Sequence, residues 1–127
     1  MKMTNQEILN FANLALGNKH LPVKIAYAIQ KNAEAIKPAL TAYDGIRKDK
    51  LESYSKKDEE GKPIITDNSY TIEDVESFNA DMTELLAIET EVDIQKVKID
   101  EFDKLDDPKF DALTVSEMAI LKFMIEE

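Results

Sequence analysis

The stretch with the densest store of chemical groups is Lys56 to Asp74, KKDEEGKPIITDNSYTIED, which lies between two segments of helical pattern. Acids around a glycine raise the question of a calcium loop. A helix–loop–helix calcium site draws oxygen ligands from loop positions 1, 3, 5 and 12 and needs glycine at position 6. Setting Gly61 at the glycine position puts Lys56 first, Asp58 third, Glu60 fifth and Asp67 last. A lysine at the first ligand position repels the cation. The last position wants a bidentate Glu and holds the shorter Asp, and Pro63 falls where the loop must offer backbone groups. The stretch therefore reads as the tip of a helical hairpin. In that reading Gly61 ends the preceding helix, Lys62–Thr66 is extended, Asp67-Asn68 turns the chain, and Ser69–Ile72 runs back. Asp58, Glu59, Glu60, Asp67 and Tyr70 are its candidate interaction surface.

No other group of residues makes a stronger case for chemistry. His20, the single histidine, sits between Gly17 and Pro22. One imidazole with no strong ligand beside it does not make a zinc site, so a capping or surface role is expected. Asp100, Glu101, Asp103, Asp106, Asp107 and Asp111 could hold a hard cation, but acids on a loop are more often simply solvated. There is no Gly-rich phosphate loop, nucleophile elbow or Ser–His–Asp order, and cysteine is absent. The expectation is no catalytic residue, no metal and no cofactor. Met82, Met118 and Met124 read as core filling. Tyr27, Tyr43 and Tyr54 read as seam residues with wet hydroxyls.

The elements that would position these groups follow from length and pattern. The 127 residues fit one domain, and three glycines and four prolines leave little punctuation, so long helices are expected. Thr4-Asn5-Gln6-Glu7 has the form of a capping box. Ile8, Phe11, Leu14 and Ala15 follow at helical spacing, and Gly17 is a natural stop, giving a helix over about 5–16. Pro22 can open a second helix at its first position. Ala26, Ile29, Ala33, Ile36, Leu40 and Tyr43 then recur in a heptad seam, with Ile46, Leu51 and Tyr54 continuing the apolar face. That helix should run to about residue 57, roughly 50 Å, and bend near 34–38 where Pro38 removes a ladder bond. Val75, Phe78, Met82 and Leu85 form the next seam, over about 72–90, behind the near capping box Thr71-Ile72-Glu73-Asp74. Val92–Ile99 alternates like a strand and needs a partner, for which Met1–Thr4 is the free candidate. Asp100–Asp111 reads as an acidic loop. Thr114-Val115-Ser116-Glu117 is a second capping box, opening a helix that buries Met118, Ile120, Leu121, Met124 and Ile125. The expected fold is mainly α (α+β). A long antiparallel helical hairpin spans about 22–90 with its tip at 58–71, and residues 1–21 and 91–127 form the base with a small two-stranded ribbon.

Charge is divided unevenly. The net charge is −10, yet residues 1–57 hold ten bases and five acids while residues 58–127 hold six bases and twenty-one acids. Glu73 to Glu91 contains seven acids and no base. Lys31, Lys37, Arg47, Lys48 and Lys50 on the preceding helix should face them, selecting a pairing that the apolar seam drives. An acidic chain disfavours ordinary nucleic-acid binding, which needs a basic surface. No run of 18 apolar residues and no signal-peptide pattern is seen, so neither membrane insertion nor export is expected.

The order of elements resembles a family of small, uncharacterised proteins of tailed phages and prophages of Gram-positive bacteria. The resemblance rests on His20-Leu21-Pro22-Val23-Lys24 leading into a long helix. It rests also on a helix ending in tyrosine before Lys-Asp-Glu-x-Gly, here Tyr54 through Lys57-Asp58-Glu59-Glu60-Gly61, and on Val92-Asp93-Ile94 with a closing Met/Leu-rich helix. It covers most of the chain and carries no catalytic motif. It implies a phage origin, a place in the cytoplasm of an infected or lysogenic bacterium or on the virion, and no site residues. The expected function is non-enzymatic: a phage accessory protein acting by protein–protein contacts in virion or tail assembly, with a phage structural or host protein as partner. The alternative is an acidic inhibitor that mimics nucleic acid towards a host defence enzyme. Self-association is left open.

Overall fold

The computed structural model describes residues 1–14 and 16–127; the expected place of Ala15 on the first helix lies outside the described residues. The fold is mainly α, with short strand pairs tying its ends together. Strand β1 (Lys2–Thr4) leads straight into helix α1 (Asn5–Ala12). The expected capping box forms: the Thr4 hydroxyl accepts from the Glu7 amide, and the Glu7 carboxylate accepts from the Thr4 amide. Asn13 closes the helix, earlier than Gly17.

The long second helix is resolved into α2 (Val23–Ala35) and α3 (Lys37–Tyr54). The junction, Ile36, stays right-handed at φ −87°, ψ −10°, and its flanking helical bonds to Asn32 and Leu40 survive. Pro38 has no amide to give Glu34, so the ladder loses its rung where the sequence predicts a bend. Pro22 is the cap preceding α2 rather than its first residue. The buried face of α2 is Ile25, Ala28 and Asn32, with Ile29 and Ala33 half-buried, so Ala26 of the expected seam is turned to water. Tyr27 and Ile46 are exposed as well, whereas Ile36 and Tyr43 are buried. Of the expected seam, Ile29, Ala33, Ile36, Leu40 and Tyr43 are buried or half-buried, as are Leu51 and Tyr54 farther on, while Ala26 and Ile46 are exposed.

Helix α4 (Val75–Ala87) starts later than the near capping box suggests, because Asp74 is its cap and accepts from the Ser77 amide. It packs against α3 and α1. The Asn5 side chain, itself buried, donates 2.8 Å to the Leu85 carbonyl and ties α1 to the end of α4. Strand β4 (Glu89–Glu91) then pairs antiparallel with β1 in the register Lys2–Glu91, Met3–Thr90, Thr4–Glu89. The ribbon with Met1–Thr4 exists, but its partner lies just before the expected Val92–Ile99. Within that span only β5 (Val97–Lys98) is a strand, and it pairs in parallel with β6 (Ile125–Glu126) at the other end of the chain.

The acidic segment after β5 is a correction. It is a 3-10 helix, Ile99–Asp106, rather than a loop, because Phe102 must reach the core and Leu105 packs against it. Thr114 and Glu117 form the second capping box and open α5 (Val115–Leu121), which tightens into a 3-10 turn, Lys122–Met124, before β6. Met3, Ile8, Ile25, Ile36, Leu121 and Met124 are almost fully enclosed, joining both termini, α1 and α2 in one core. Phe11 meets Phe123 edge-on at 5.2 Å, a favoured aromatic geometry. Of the methionines expected to fill the core, Met124 is fully buried while Met82 and Met118 are half-buried.

Candidate functional site

The tip between α3 and α4 is built almost wholly from backbone. Ser55 leaves the helix with extended dihedrals, and the Lys57 ammonium folds back onto the carbonyls of Glu52 and Ser55. A cation there satisfies carbonyls that have no partner within the helix. Lys56 donates its amide to Thr71 at 2.7 Å and accepts from Ile64 at 2.8 Å, so it is the middle of three adjoining segments. Antiparallel bridges Ser55–Ile72 and Lys57–Pro63 flank it.

Two turns cap this layer. In the first, Gly61 donates 3.0 Å to the Asp58 carbonyl, and the Asp58 carboxylate accepts from the amides of Glu60 and Lys62 at 2.9 and 3.0 Å. Gly61 has φ +82°, so its role is a left-handed turn position and not the end of a helix, which stops at Tyr54. In the second, β2 (Ile65–Thr66) pairs with β3 (Ser69–Tyr70) across Asp67 and Asn68, at φ 51° and 64°. Two successive left-handed residues make the turn whose twist suits a two-residue hairpin, and Asp and Asn tolerate it best after glycine.

The five candidate surface residues therefore divide. Asp58 locks the first turn, Glu60 pairs with Lys62 at 3.8 Å, and the Tyr70 hydroxyl donates 3.3 Å to Glu52. Glu59 and Asp67 stand in solvent, as does Ile65, which is 58% exposed. Where tip and helices join, the Tyr54 hydroxyl donates 2.6 Å to Asp81, which Lys50 also reaches at 3.3 Å. The hydrogen bond from Tyr54, with Lys50 beside it, holds the Asp81 carboxyl below its ordinary range; the same bond pushes the Tyr54 hydroxyl up.

The expected ladder of bases against α4 is met at that one place. Among the described residues Lys50–Asp81 is the single ion pair between the two helices, and Glu73, Glu76, Glu84 and Glu89 pair with no base. Glu91 is taken by the terminal ammonium of Met1 at 2.6 Å, which lowers its titration.

The acids of 100–111 do not converge. Glu101 turns inward to Lys104 at 2.6 Å and Lys24 at 3.4 Å, and Lys104 above all holds its carboxyl low. Asp107 accepts from the Lys109 amide, and Asp111 accepts 2.6 Å from the His20 amide while its own amide donates to the His20 carbonyl. His20 is exposed and stacks on Phe110 with ring centres 5.3 Å apart. Among the described residues no three His, Asp or Glu side chains are grouped to hold a metal ion, and no helix is long and apolar enough to cross a membrane.

Two features have no sequence forewarning. Asn32, fully buried on α2, accepts from the Gln95 amide at 2.7 Å and donates to the Gln95 carbonyl at 3.0 Å. It replaces the strand neighbour that the segment around Gln95 lacks. The second feature is a pair of grooves beside Val23. One, of about 450 Å3, is bounded by Tyr27, Lys96 and Lys98; the other, of about 370 Å3, by Lys109 and Phe110. Their walls join the start of α2 to residues of 95–126, distant in the chain, which periodicity within a segment cannot bring together. Searches with the sequence and the fold return no matching family model, no matching curated protein and no matching solved structure.

Proposed function

We propose that the protein acts by binding other proteins, without catalysis, and that the tip at 55–72 is its contact surface. What carries this reading is the way the tip is held. Its shape is set by backbone bonds and by Asp58, which leaves Glu59, Ile65 and Asp67 pointing into solvent from a defined scaffold. Polar and aliphatic side chains on a backbone already held in shape suit a protein contact, because the backbone part of the ordering cost is already met. We take the seam of Ile36, Leu40 and Tyr43 against Phe78, Met82 and Leu85 as the stiffener of an antiparallel hairpin that presents the tip. The resemblance to phage and prophage proteins makes virion or tail assembly the setting, with a phage structural or host protein as partner.

The test is co-purification from an infected or induced host with the wild-type chain and with a Glu59→Lys/Ile65→Asp/Asp67→Lys variant. Virion or tail proteins should accompany the wild type, persist in salt and be lost from the variant. Equal capture by both removes the tip from the contact.

One observation favours a second reading. Among the described residues Glu73, Glu76, Glu84 and Glu89 pair with no base, so free carboxylates stand on α4 and just beyond both its ends. Such a track is what a mimic of nucleic acid would present to a basic defence enzyme. In that case the same experiment captures a nuclease or restriction component, released by salt of a few hundred millimolar as screening shortens the reach of the charges to about 5 Å.

A further inference from the structure

Four of the six bases in residues 58–127 gather round the two grooves beside Val23. Three carboxylates, Glu101, Asp107 and Glu126, line the same grooves, so with Lys24 the lining holds five bases against three acids, a local reversal beside a half of the chain that is otherwise strongly acidic. Lys104 and Lys24 share Glu101, and Lys109 lies 3.9 Å from Asp107, but Lys96 and Lys98 pair with no carboxylate among the described residues. Val23, which lines both grooves, is 82% exposed, and Tyr27 beside it is 57% exposed. An apolar ridge thus stands in water between unanswered and half-answered lysines. The occupant that fits is acidic with a small aliphatic side chain at its centre.

The chain carries such a segment at a distant place in the fold. Val75 is 53% exposed at the start of α4, set between Glu73, Asp74 and Glu76. Asp74 spends its carboxylate on the Ser77 amide, while Glu73 and Glu76 pair with no base among the described residues. The Glu73 amide is bonded to Tyr54 at the far end of α3, whereas Val23 opens α2, so the structure keeps groove and segment apart within one molecule. We propose that the basic double groove at Val23 and Tyr27 receives the Glu73–Glu76 segment of a second copy of the chain. The two surfaces differ, so the contact is head to tail: every pair leaves one groove and one acidic segment free, and the assembly extends or closes into a ring. Burial of Val75 against Val23 and Tyr27 drives the contact. Lys96 and Lys98 facing Glu73 and Glu76 select it, since each exposed pair adds little alone. This inference does not depend on the tip, which it leaves free.

Light scattering across a range of concentrations tests it. The buffer is at about 0.1 M salt, where a screening length of about 10 Å mutes the overall −10 but not facing charges. The average mass of the wild type should rise at least two-fold with concentration and fall back towards the monomer in high salt. Lys96→Glu/Lys98→Glu and Glu73→Lys/Glu76→Lys should each stay monomeric. All four residues are exposed, so both variants should keep the wild-type circular dichroism. Mixing the two variants restores complementary surfaces and should restore association. A wild type that stays monomeric up to about 1 mM, near the weak limit of specific binding, overturns the proposal. So does either variant associating as the wild type does, or a mixture that stays monomeric.

Discussion

The base and the tip of this molecule are held together by different physics. In the base, Met3, Ile8, Ile25, Leu121 and Met124 come from three parts of the chain and are sealed almost completely from water. In the tip, residues 56–71 include no buried side chain, and the shape follows from amide–carbonyl bonds, two left-handed turns and one turn-locking aspartate. Apolar burial is cooperative and indifferent to direction. Hydrogen bonds at a surface contribute less but fix geometry. The contrast teaches that stability and presentation are assigned to separate regions, so that tip side chains can change with little cost to the fold.

The largest effect should come from breaking the base. Leu121→Ala empties a site with no exposure and should cost about 2–5 kcal/mol of global stability, read from the denaturant midpoint. A loss under about 1 kcal/mol would mean that the surroundings collapse into the space and the base is not close-packed.

A smaller and local effect is expected at the tip. No atom lies within 4 Å of a methyl group added at Gly61, so Gly61→Ala meets no clash and suffers only the backbone strain of φ +82°. That strain amounts to about 1–2 kcal/mol. It should appear as faster amide exchange at Glu60 and Lys62, whose amides the Asp58 carboxylate holds, with the global midpoint unchanged. A fall in the global midpoint as large as the local loss would join the tip to the base as one cooperative unit.

The smallest effect is electrostatic, and it also separates the regions. Glu91, Glu101 and Glu117 in the base all titrate below the usual carboxylate range. Glu91 is held there by the Met1 ammonium, Glu101 by Lys104 and Glu117 by the Thr114 amide with Lys19 behind it. Because folding lowers these values, the unfolded chain binds more protons in acid. The stability they add is whole above the ordinary carboxylate range of about 4 and is lost as pH falls through their folded values. Denaturant midpoints measured from neutral pH down to acid should therefore decline, and less steeply in Glu101→Gln. An identical slope in that variant would remove Glu101 from the linkage.

What the sequence discloses is local, and what it hides is non-local. Both capping boxes, Thr4–Glu7 and Thr114–Glu117, form as spaced, because donor and acceptor lie within one turn. The interruption of the helix at Ile36, beside Pro38, and the turn at Asp67-Asn68 are equally legible, since each depends on the backbone chemistry of one or two residues. Helix ends are less so: α1 closes at Asn13, ahead of Gly17. The parallel pairing of Val97 with Ile125 and the hold of Asn32 on Gln95 leave no periodic trace. The 3-10 helix at Ile99–Asp106 is masked by its own acids, and only Phe102 and Leu105 hint at a buried face. Among the candidate surface residues the inward role of Asp58 is not legible, because side-chain direction depends on the turn it helps to form.

Native-state hydrogen exchange tests the division of labour most directly. Amides of Ala28 and Asn32 in the base should exchange only through global unfolding, and their protection should drop in Leu121→Ala by the full loss in stability. Amides of Glu60, Lys62, Ile64 and Lys56 in the tip should exchange through local opening at lower free energy and be unmoved by that substitution. Tip and base amides exchanging with one common free energy, and falling together in Leu121→Ala, would contradict the account.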